Sequence, residues 1–552
     1  MEFARRDFLK GAAAAGALAG FGAIGVLGGC SAAGNGSDAQ AKDETAAVAS
    51  GSDNEEARAL SLVECESDVA GKVKERLECD IAVLGGGGSG LSAAVRAAEL
   101  GARVIVLEKG SSLGGSTIGT EGMFGWGSKL QQQEGVELSS VAELVEEENV
   151  FTNYRCDAVL WNKFITSSGK SADWLMDEGY VFDGVDIYKQ SVSSFKCFHW
   201  WADQSGQTLI DFLAARAEEL GVDVRLETPG VCLKTDNGAV AGVYAHDAKS
   251  DAYLEVSAKA VIAGCGGYAV NTALIEQLTD WDMTYANATA TGTGDAVIMA
   301  EDVGAGTYMT SILPAIHVYG YVTADPIVVG CCNQPLLFLN QDGNRCMDES
   351  LFIHAHKALF VNAILSQKKC FCVFDQAMVD RFESGEGIFS AWRTFAVGSN
   401  IENFQGQVNE CIEKGMGNAF VADTIEELAA AMEVDAEAMR ASVDRYNDLC
   451  ERGVDEDYLK DPAYLMPVEQ GPFYAIRLDP SVTNTIGGLD VDYHNQVLDV
   501  EGSPIPGLYC VGVDGNKLYK ETYNYAMSGG LVSFAIYSGL TAGEHAFSTY
   551  VS

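Results

Sequence analysis

The first strong pattern along the chain is a short apolar run, Asp80 to Leu84, which leads directly into glycines. The apolar residues that follow the glycines recur at the spacing of one helix face: Leu91, Ala94, Val95 and Ala98. A second apolar run, Arg103 to Leu107, has the length of a buried strand. The pattern therefore predicts strand, turn, helix and strand in that order, which is the start of an α/β fold with a parallel sheet.

The turn between the first strand and the helix carries the spacing GxGxxG at Gly85, Gly87 and Gly90. Such glycines allow a tight turn, a close approach of the backbone to a pyrophosphate, and close packing of helix on strand. Glu108 ends the second strand, where a carboxylate can accept a hydrogen bond from a ribose hydroxyl. The unit predicts a dinucleotide site, and by itself it fits NAD and FAD equally.

The N-terminal segment has the pattern of an export signal. Arg5 and Arg6 precede a weakly apolar run of small residues, and Cys30 follows Leu27-Gly28-Gly29 as in a lipoprotein cleavage site. We therefore predict a twin-arginine signal over 1–30 with a lipid on Cys30; an uncleaved anchor and plain soluble export are the alternatives. Residues 31–77 are rich in Ala, Ser, Gly and acids, which predicts a flexible tether.

Charge excludes one class of partner. The 552 residues include 36 Lys and Arg against 78 Asp and Glu, a net charge of -42. A protein that grips nucleic acid needs clustered cations to neutralise phosphates, so we expect no nucleic-acid partner. An acidic surface favours basic partners such as small redox proteins.

The fifteen cysteines do not form CxxC or CxxCH motifs, so the sequence supports neither covalent haem nor a zinc ribbon. An iron-sulfur cluster built from distant cysteines stays open, although the spacing does not support it. Its weak candidates are Cys265, Cys331 and Cys332. The alternative is that most of the thiols are small buried hydrophobic side chains.

Four later segments resemble, in order, the motifs of the fumarate reductase and succinate dehydrogenase flavoprotein superfamily. They are EKGSSLGGST at 108–117, AVIAGCGG at 260–267, TGTGD at 291–295 and IPGLYCVG at 505–512. Cys265 stands where that superfamily has threonine, and Val513, followed by Asp514, stands where it has an acid. The resemblance covers the chain from about Cys79 to the C-terminus.

This resemblance implies an α/β fold in which a Rossmann-like FAD-binding domain is formed by two pieces, 78–311 and 483–552. An inserted α+β capping domain, 312–482, would hold the substrate over the flavin. The implied cofactor is FAD. The residues expected to contact it are Gly85, Gly87, Ser89, Gly90, Glu108, Lys109, Gly114, Gly115, Ser116, Thr117, Gly266, Gly294, Asp295, Gly512 and Asp514.

The residues with which fumarate reductases hold a dicarboxylate are mostly replaced. The threonine and glutamate positions fall on Val328 and Val329, a proton-path arginine falls on Cys332 beside Asn333, and the catalytic arginine falls near Ile353 and His354. A site histidine falls on Asn484 and the second clamp arginine on Met527, while His317 is retained. Because paired guanidinium groups match carboxylates, their loss predicts a neutral or weakly polar substrate.

Three tyrosines, Tyr519, Tyr523 and Tyr525, precede the pair Gly529 and Gly530. The spacing of Tyr525 and Gly529 resembles the tyrosine and glycine that polarise a ring ketone in ketosteroid dehydrogenases. Two such donors would stabilise charge on a carbonyl oxygen as an oxyanion hole does. Packing of the aromatic rings against the flavin is the alternative. The proton donor is left open among Tyr523, His317, His354 and His356.

Taken together, the features resemble those of exported FAD-dependent reductases of activated carbon-carbon double bonds, and within that group those of reductases that act on cardiac glycosides. The residues by themselves indicate only an enone or an unsaturated lactone as the substrate. The implied reaction saturates the unsaturated lactone ring of a neutral, steroid-sized compound such as digoxin. Electrons would come from a separate carrier, for example a membrane-linked cytochrome. The alternatives are a respiratory reductase of a small carboxylate such as fumarate or urocanate, a ketosteroid dehydrogenase, and a flavin electron carrier without a substrate.

Overall fold

The structure is a computed structural model that describes residues 55–188, 195–279, 290–308, 311–318, 334–354, 361–389, 397–520 and 523–552. The helices of these residues are α1 Glu55–Ala59, α2 Glu66–Val69, α3 Gly88–Glu99, α4 Lys129–Gln133, α5 Val141–Phe151, α6 Ala158–Asp177, α7 Gly206–Glu219, α8 Thr272–Thr279, α9 Asp295–Glu301, α10 Leu351–His354, α11 Gln376–Ser384, α12 Phe404–Glu413, α13 Ile425–Met432, α14 Ala436–Arg452 and α15 Gly530–Ala546. None of these helices has the length and apolar composition of a membrane span.

The strands of the same residues are β1 Val73–Glu78, β2 Ile81–Leu84, β3 Val104–Leu107, β4 Gly122–Phe124, β5 Gly184–Asp186, β6 Phe198–Trp200, β7 Asp223–Arg225, β8 Gly230–Asp236, β9 Ala239–Asp247, β10 Ala252–Ser257, β11 Ala260–Ala263, β12 Ser311–Val318, β13 Leu337–Asn340, β14 Cys370–Asp375, β15 Ala419–Ala422, β16 Phe473–Ile486, β17 Gln496–Leu498 and β18 Pro504–Cys510.

The central sheet has the order β17-β18-β11-β2-β3-β7. From β18 to β7 the neighbours are parallel, and β17 is an antiparallel edge strand. All residues of β2, β3 and β11 are buried, as expected for parallel strands that are covered on both faces. The strand, helix and strand predicted from the first apolar pattern are therefore confirmed as β2, α3 and β3.

The C-terminal helix α15 covers the same face of the sheet as α3. Two glycines of α15 allow the close approach: a Cβ on Gly543 would lie 2.8 Å from the Ala93 carbonyl oxygen, and one on Gly539 would overlap that of Ser89. Because α15 and β18 come from the end of the chain, the sheet that begins at β2 is completed only by the C-terminal segment.

A second sheet has the order β1-β10-β9-β8. In sequence, β1 precedes the first strand of the central sheet, and β8 to β10 stand between β7 and β11. Its edge strand β1 pairs in parallel with β10, and Ala57 and Val69 upstream of it have 0% exposure. The prediction of a flexible tether over 31–77 is therefore wrong from residue 55 onward. The prediction failed because the buried apolar residues of this segment do not recur at the spacing of a helix or strand face. They are covered by residues that are distant in sequence.

The third sheet has the order β12-β16-β14-β13, and β15 also pairs with β16. β16 is 14 residues long: its first half pairs with β14 and its second half with β12. The predicted boundary at 311/312 coincides with the start of β12, and that at 482/483 lies inside β16. The small sheet β4-β6-β5 lies on the N-terminal piece of the chain.

A buried ion-pair network ties the segment after β13 to the segment after α14. Arg345 is bound by Glu349 at 2.7 Å and by Asp455 at 2.8 Å, and both carboxylate side chains have 0% exposure. Burial alone would raise the pKa of Asp455, but hydrogen bonds from Arg345 and from backbone N–H groups hold that pKa at about 2. The network therefore keeps the Asp455 carboxylate charged and paired with Arg345 at neutral pH.

We expect Asp455→Asn to destabilise the protein by about 2 to 3 kcal/mol at pH 7, since a buried hydrogen bond to a charged group is lost. The wild-type advantage should be full above pH 4, and it should vanish as pH falls through about 2, where the native carboxylate titrates. Urea unfolding at several pH values measures it. Asp457→Asn is the matched control. The Asp457 side chain is 36% exposed and pairs with Arg445, so this substitution should change the free energy of unfolding by less than about 1 kcal/mol. Equal effects of the two substitutions would contradict the prediction.

Candidate cofactor and substrate site

The turn after β2 has room only for glycine at its two ends. Gly85 adopts a φ of 96°, and a Cβ there would overlap the Gly264 carbonyl oxygen. A Cβ on Gly90 would overlap the Gly85 carbonyl oxygen, whereas a Cβ on Gly87 would only touch that of Gly114 at 3.6 Å. The outer glycines thus serve the turn and the packing of helix on strand, and the middle one leaves space in front of the helix.

The N-terminus of α3 receives no cap from its own N-cap residue. Its N-cap residue, Gly87, offers no side chain, so several of the first N–H groups of this 12-residue helix have no partner within the helix. The Thr117 hydroxyl accepts the Gly88 N–H at 3.1 Å, which brings the 114–117 segment to the same point. An uncapped helix N-terminus with a hydroxyl beside it is suited to bind phosphate groups.

Glu108 lies at the end of β3, beside the glycine turn. Its carboxylate accepts the N–H groups of Gly86 and Gly110, both at 2.6 Å, and the side chain is buried. Lys109, the next residue, binds Asp295 at 2.7 Å and the Thr293 hydroxyl at 2.6 Å. The predicted residues of the 108–117 and 291–295 motifs therefore meet in one place.

Asp514 follows β18 and lies against the turn after β11. It has 0% exposure and accepts the N–H groups of Gly266 at 2.9 Å and Gly267 at 3.1 Å. Burial raises the pKa of this carboxyl to about 6, against the lowering effect of those hydrogen bonds. The carboxylate therefore fixes the turn after β11. Asp514 does so although Val513, and not Asp514, stands at the position where the superfamily has its acid.

The arrangement fits FAD. The segments after β2, β11 and β18 meet at the carboxyl ends of three neighbouring parallel strands, where nucleotides bind in open α/β sheets. A Cβ on Gly512 would lie 2.7 Å from Ser89 Oγ, so glycine is required on the C-terminal side of the crevice as well. The predicted cofactor residues thus lie in one crevice, while their individual contacts with FAD stay predictions.

Three of the predicted substrate positions lie on described residues, and one of them, Asn484, adjoins this crevice. Asn484 Oδ1 would be 3.3 Å from a Cβ on Gly267, so the residue in the histidine position adjoins the turn that Asp514 holds. Met527 has 0% exposure and packs with Ile486, Leu518 and Phe534. Ile353 is half-buried in α10.

The tyrosine segment leads into the N-terminus of α15. Tyr523 Oη accepts the Gly530 N–H at 3.0 Å, and its ring is 4.8 Å from that of Tyr525. Gly529 adopts a φ of 78°, and a Cβ there would be 2.6 Å from the Phe124 nitrogen. The joint action of Tyr525 and Gly529 on one oxygen stays a prediction, because it is the Tyr523 hydroxyl that meets the first N–H groups of the helix.

Several predicted residues lie outside the described residues or are described only by their backbone. Val328, Val329, Cys331, Cys332, Asn333 and His356, and the lipidation candidate Cys30, lie outside them. His317 lies on β12, opposite Asp479 of β16, and His354 ends α10. Their roles stay predictions.

The part of the chain that the structure describes contains no group of three or more His, Cys, Asp or Glu side chains arranged to hold a metal ion. Cys265, the described member of the cluster candidates, lies on the turn after β11 beside Asp514. Burial raises the pKa of this thiol well above its usual value.

One buried acid in this region has no counterpart among the predicted residues. Glu148, on α5, has 0% exposure, and its Oε2 accepts Asn524 Nδ2 at 3.1 Å. It lies four residues after Leu144, which is also fully buried, so helical spacing places it on the inner face. The run of three glutamates in which it stands has instead the composition of a solvated surface.

Comparison with known proteins defines the class. The FAD binding domain family matches residues 80–527, and the chain belongs to this family. It is an FAD-dependent oxidoreductase of the fumarate reductase type, whose relatives act as reductases of carbon-carbon double bonds. A twin-arginine signal matches residues 2–22, which indicates export across the cytoplasmic membrane.

Individual relatives extend over most of the chain. A vinyl phenol reductase of Lactiplantibacillus plantarum is 32% identical over 479 residues, 85% of this chain and 96% of that protein. A digoxin reductase of Eggerthella lenta is 25% identical, covering 93% of this chain and 91% of its own length. The open conformation of a flavocytochrome c3 fumarate reductase shares the fold, with a TM-score of 0.66, 23% identity, and coverage of 88% of this chain and 80% of that one.

Proposed function

We propose that this protein reduces a carbon-carbon double bond conjugated to an uncharged, oxygen-bearing group. The observation that carries the proposal is Met527, a fully buried apolar side chain at the position where the resemblance to fumarate reductases puts a clamp arginine. A thioether among apolar neighbours offers a carboxylate no partner, and burying an unpaired carboxylate is costly. A neutral acceptor does not carry that cost.

FAD bound in the crevice would supply hydride from its N5 nitrogen to the β-carbon of the substrate. Negative charge then develops on the conjugated oxygen, where the Tyr525 hydroxyl and the Gly529 N–H would donate hydrogen bonds. The α-carbon must receive one proton. Tyr523 is suited to hold it, because burial raises the pKa of its hydroxyl above the usual value and keeps the proton on the oxygen at neutral pH. His317 and His354 are the alternative donors.

Two substrate types satisfy the requirement for an uncharged group. The unsaturated lactone of a cardiac glycoside such as digoxin fits a pair of donors on one carbonyl oxygen, and a digoxin reductase is among the relatives. An alkene on a phenol ring is the second candidate, which the vinyl phenol reductase favours because the chain covers 96% of that protein. Both gain one hydride and one proton across the double bond, but in different order. Only the lactone can take the charge of the arriving hydride on its oxygen, whereas the alkene of a vinyl phenol would have to be protonated on its terminal carbon before or as hydride reaches the carbon next to the ring.

The alternatives make different demands on the site. Reduction of fumarate or urocanate would require cations that replace the missing arginines. A ketosteroid dehydrogenase would run the reaction towards the double bond, and a flavin carrier would need no substrate.

We expect the purified, FAD-loaded protein to oxidise reduced viologen under anaerobic conditions when digoxin or 4-vinylphenol is added, and not with fumarate. The loss of the colour of the reduced dye measures it, and mass spectrometry of the product shows the gain of two hydrogen atoms. Turnover with fumarate alone would refute the argument from Met527. A saturated ketosteroid with an artificial electron acceptor tests the dehydrogenase, and silence with all acceptors would favour the carrier.

We further propose that the exported protein bears a lipid on Cys30 and receives electrons from a basic, membrane-linked cytochrome. The net charge of -42 supports a basic donor. The rate of reduction by such a donor should fall steeply as salt is raised, since charge attraction is screened within about 10 Å at 0.1 M.

A further inference from the structure

We propose that Glu148 is a positioning residue: its uncharged carboxyl, acting through Asn524, fixes the turn that presents Tyr525 and Gly529 to the substrate. The positioning role rests on the function proposed above, whereas the uncharged state of the carboxyl is a property of the fold alone. Each part can therefore be tested separately.

The geometry joins α5 to the tyrosine segment through one side chain. Asn524 has 0% exposure and uses both ends of its amide. Its Nδ2 donates to Glu148 at 3.1 Å, and its Oδ1 accepts the Ala526 N–H at 2.9 Å. That second bond caps the short 3-10 helix Tyr525–Met527. Any shift of Glu148 is therefore passed to the turn that carries Tyr525.

The surroundings of Glu148 do not favour a charge. Its Oε1 is fully buried and has no hydrogen-bond partner among the described residues. In the described ranges, four titratable groups interact electrostatically with Glu148. They are Glu147 on its own helix, Cys156 after that helix, and Tyr519 and Tyr523 of the facing segment. None of these is a cation, so within the described part of the chain this carboxyl faces only neutral or acidic groups.

Aromatic rings hold the tyrosine segment on the side away from Asn524. Tyr519 is 1% exposed, and its ring is 5.1 Å from that of Tyr523 and 5.3 Å from that of Trp161. Trp161 Nε1 in turn donates to the Leu518 carbonyl at 2.9 Å. The tyrosine segment is thus held by packing on one side and by Glu148 through Asn524 on the other.

The contact between Glu148 and Asn524 should depend on pH, because it requires the Glu148 carboxyl to be protonated. Burial raises the pKa of Glu148 to about 8, so the acid form predominates below that value. Above it, the carboxylate can gain hydration only if α5 separates from the tyrosine segment. Positioning, and with it turnover, should be lost as pH rises through about 8.

The experiment compares Glu148→Gln, Glu148→Ala and Glu146→Gln in the FAD-loaded protein with viologen as donor. The Glu148→Gln variant keeps an acceptor for Asn524 and cannot ionise, so we expect kcat at pH 7 near the wild-type value and no loss of kcat near pH 8. The Glu148→Ala variant leaves the buried Asn524 amide unpaired, which should lower kcat about tenfold at every pH with a smaller change in KM. Glu146, whose carboxylate binds the exposed Tyr154 hydroxyl at 2.7 Å, is the matched control and should keep the wild-type profile.

A second measurement needs no substrate. A folded-state pKa of about 8 against an unfolded value near 4.5 means that the stability contributed by Glu148 is full below pH 4.5 and is lost as pH rises through about 8. The melting temperature of wild type should therefore fall relative to Glu148→Gln between pH 5 and 8, and the difference should level off above.

The two measurements give distinct outcomes. Parallel melting curves of wild type and Glu148→Gln would overturn the inference whatever the substrate is. Divergent curves with an alkaline loss of kcat that persists in Glu148→Gln would also overturn it, because the tyrosine segment would then not depend on Glu148. If none of the alkenes is reduced, the proposed function fails, and the melting curves still decide whether the carboxyl is uncharged.

Discussion

Gly90→Ala should produce a protein that is purified almost without flavin. A Cβ on Gly90 would overlap the Gly85 carbonyl oxygen, so the turn after β2 would move away from the N-terminus of α3. Forcing a methyl group into a packed site costs about 1 to 3 kcal/mol, which corresponds to about 5- to 150-fold weaker binding of FAD. The ratio of flavin absorbance to protein absorbance measures the occupancy.

The control for this substitution is Gly71→Ala. Gly71 has no heavy atom within 4 Å of the position of its Cβ and adopts an ordinary φ, so its flavin content should stay that of wild type. A melting curve of each apoprotein separates a local effect on the crevice from a loss of folding. Full flavin occupancy in Gly90→Ala would show that the crevice after β2 does not hold the cofactor.

Tyr525→Phe should lower kcat by about 100- to 1000-fold, the usual cost of losing one donor to a developing oxyanion. The ring keeps its packing against Tyr523 at 4.8 Å, so flavin content and melting temperature should stay those of wild type. The effect should fall mainly on kcat, because the donor acts on charge that is present in the transition state and not in the bound substrate.

Tyr493→Phe is the matched control for Tyr525→Phe, since Tyr493 is 42% exposed and its hydroxyl donates to the Asp157 carboxylate at 3.2 Å. It should turn over at the wild-type rate. A small effect of Tyr525→Phe with a large effect of Tyr523→Phe would instead assign the donor to the hydroxyl that meets the Gly530 N–H.

The part of the fold that sequence predicts is the part built from local patterns. The glycines, the period of α3 and the all-apolar strands define β2, α3 and β3, because each of these features depends on residues close in sequence. The burial of Ala57 and Val69 depends on a helix and strands that follow much later in the chain, so the composition of that segment alone predicts a tether. The division of the chain at 312 and 483 rests on resemblance and stays a prediction.

The site divides in the same way. Glu108 and the glycine turn follow from a motif whose physical demands are known, and the structure brings both to one crevice. Glu148 escapes prediction because three consecutive glutamates resemble a solvated surface, and its burial depends on Asn524, which is 376 positions away in sequence. Asn484 is assigned by resemblance alone, and its position beside Gly267 depends on the course of β16.

The order of the central sheet determines when folding can finish during synthesis. β18 lies next to β11, and α15 lies on α3, yet both come from the last 49 residues of the chain. The segments around the nucleotide crevice can therefore come together only after β18 and α15 have been synthesised. We expect FAD to bind late in the folding of this chain, after the strands and helices of its first piece have formed.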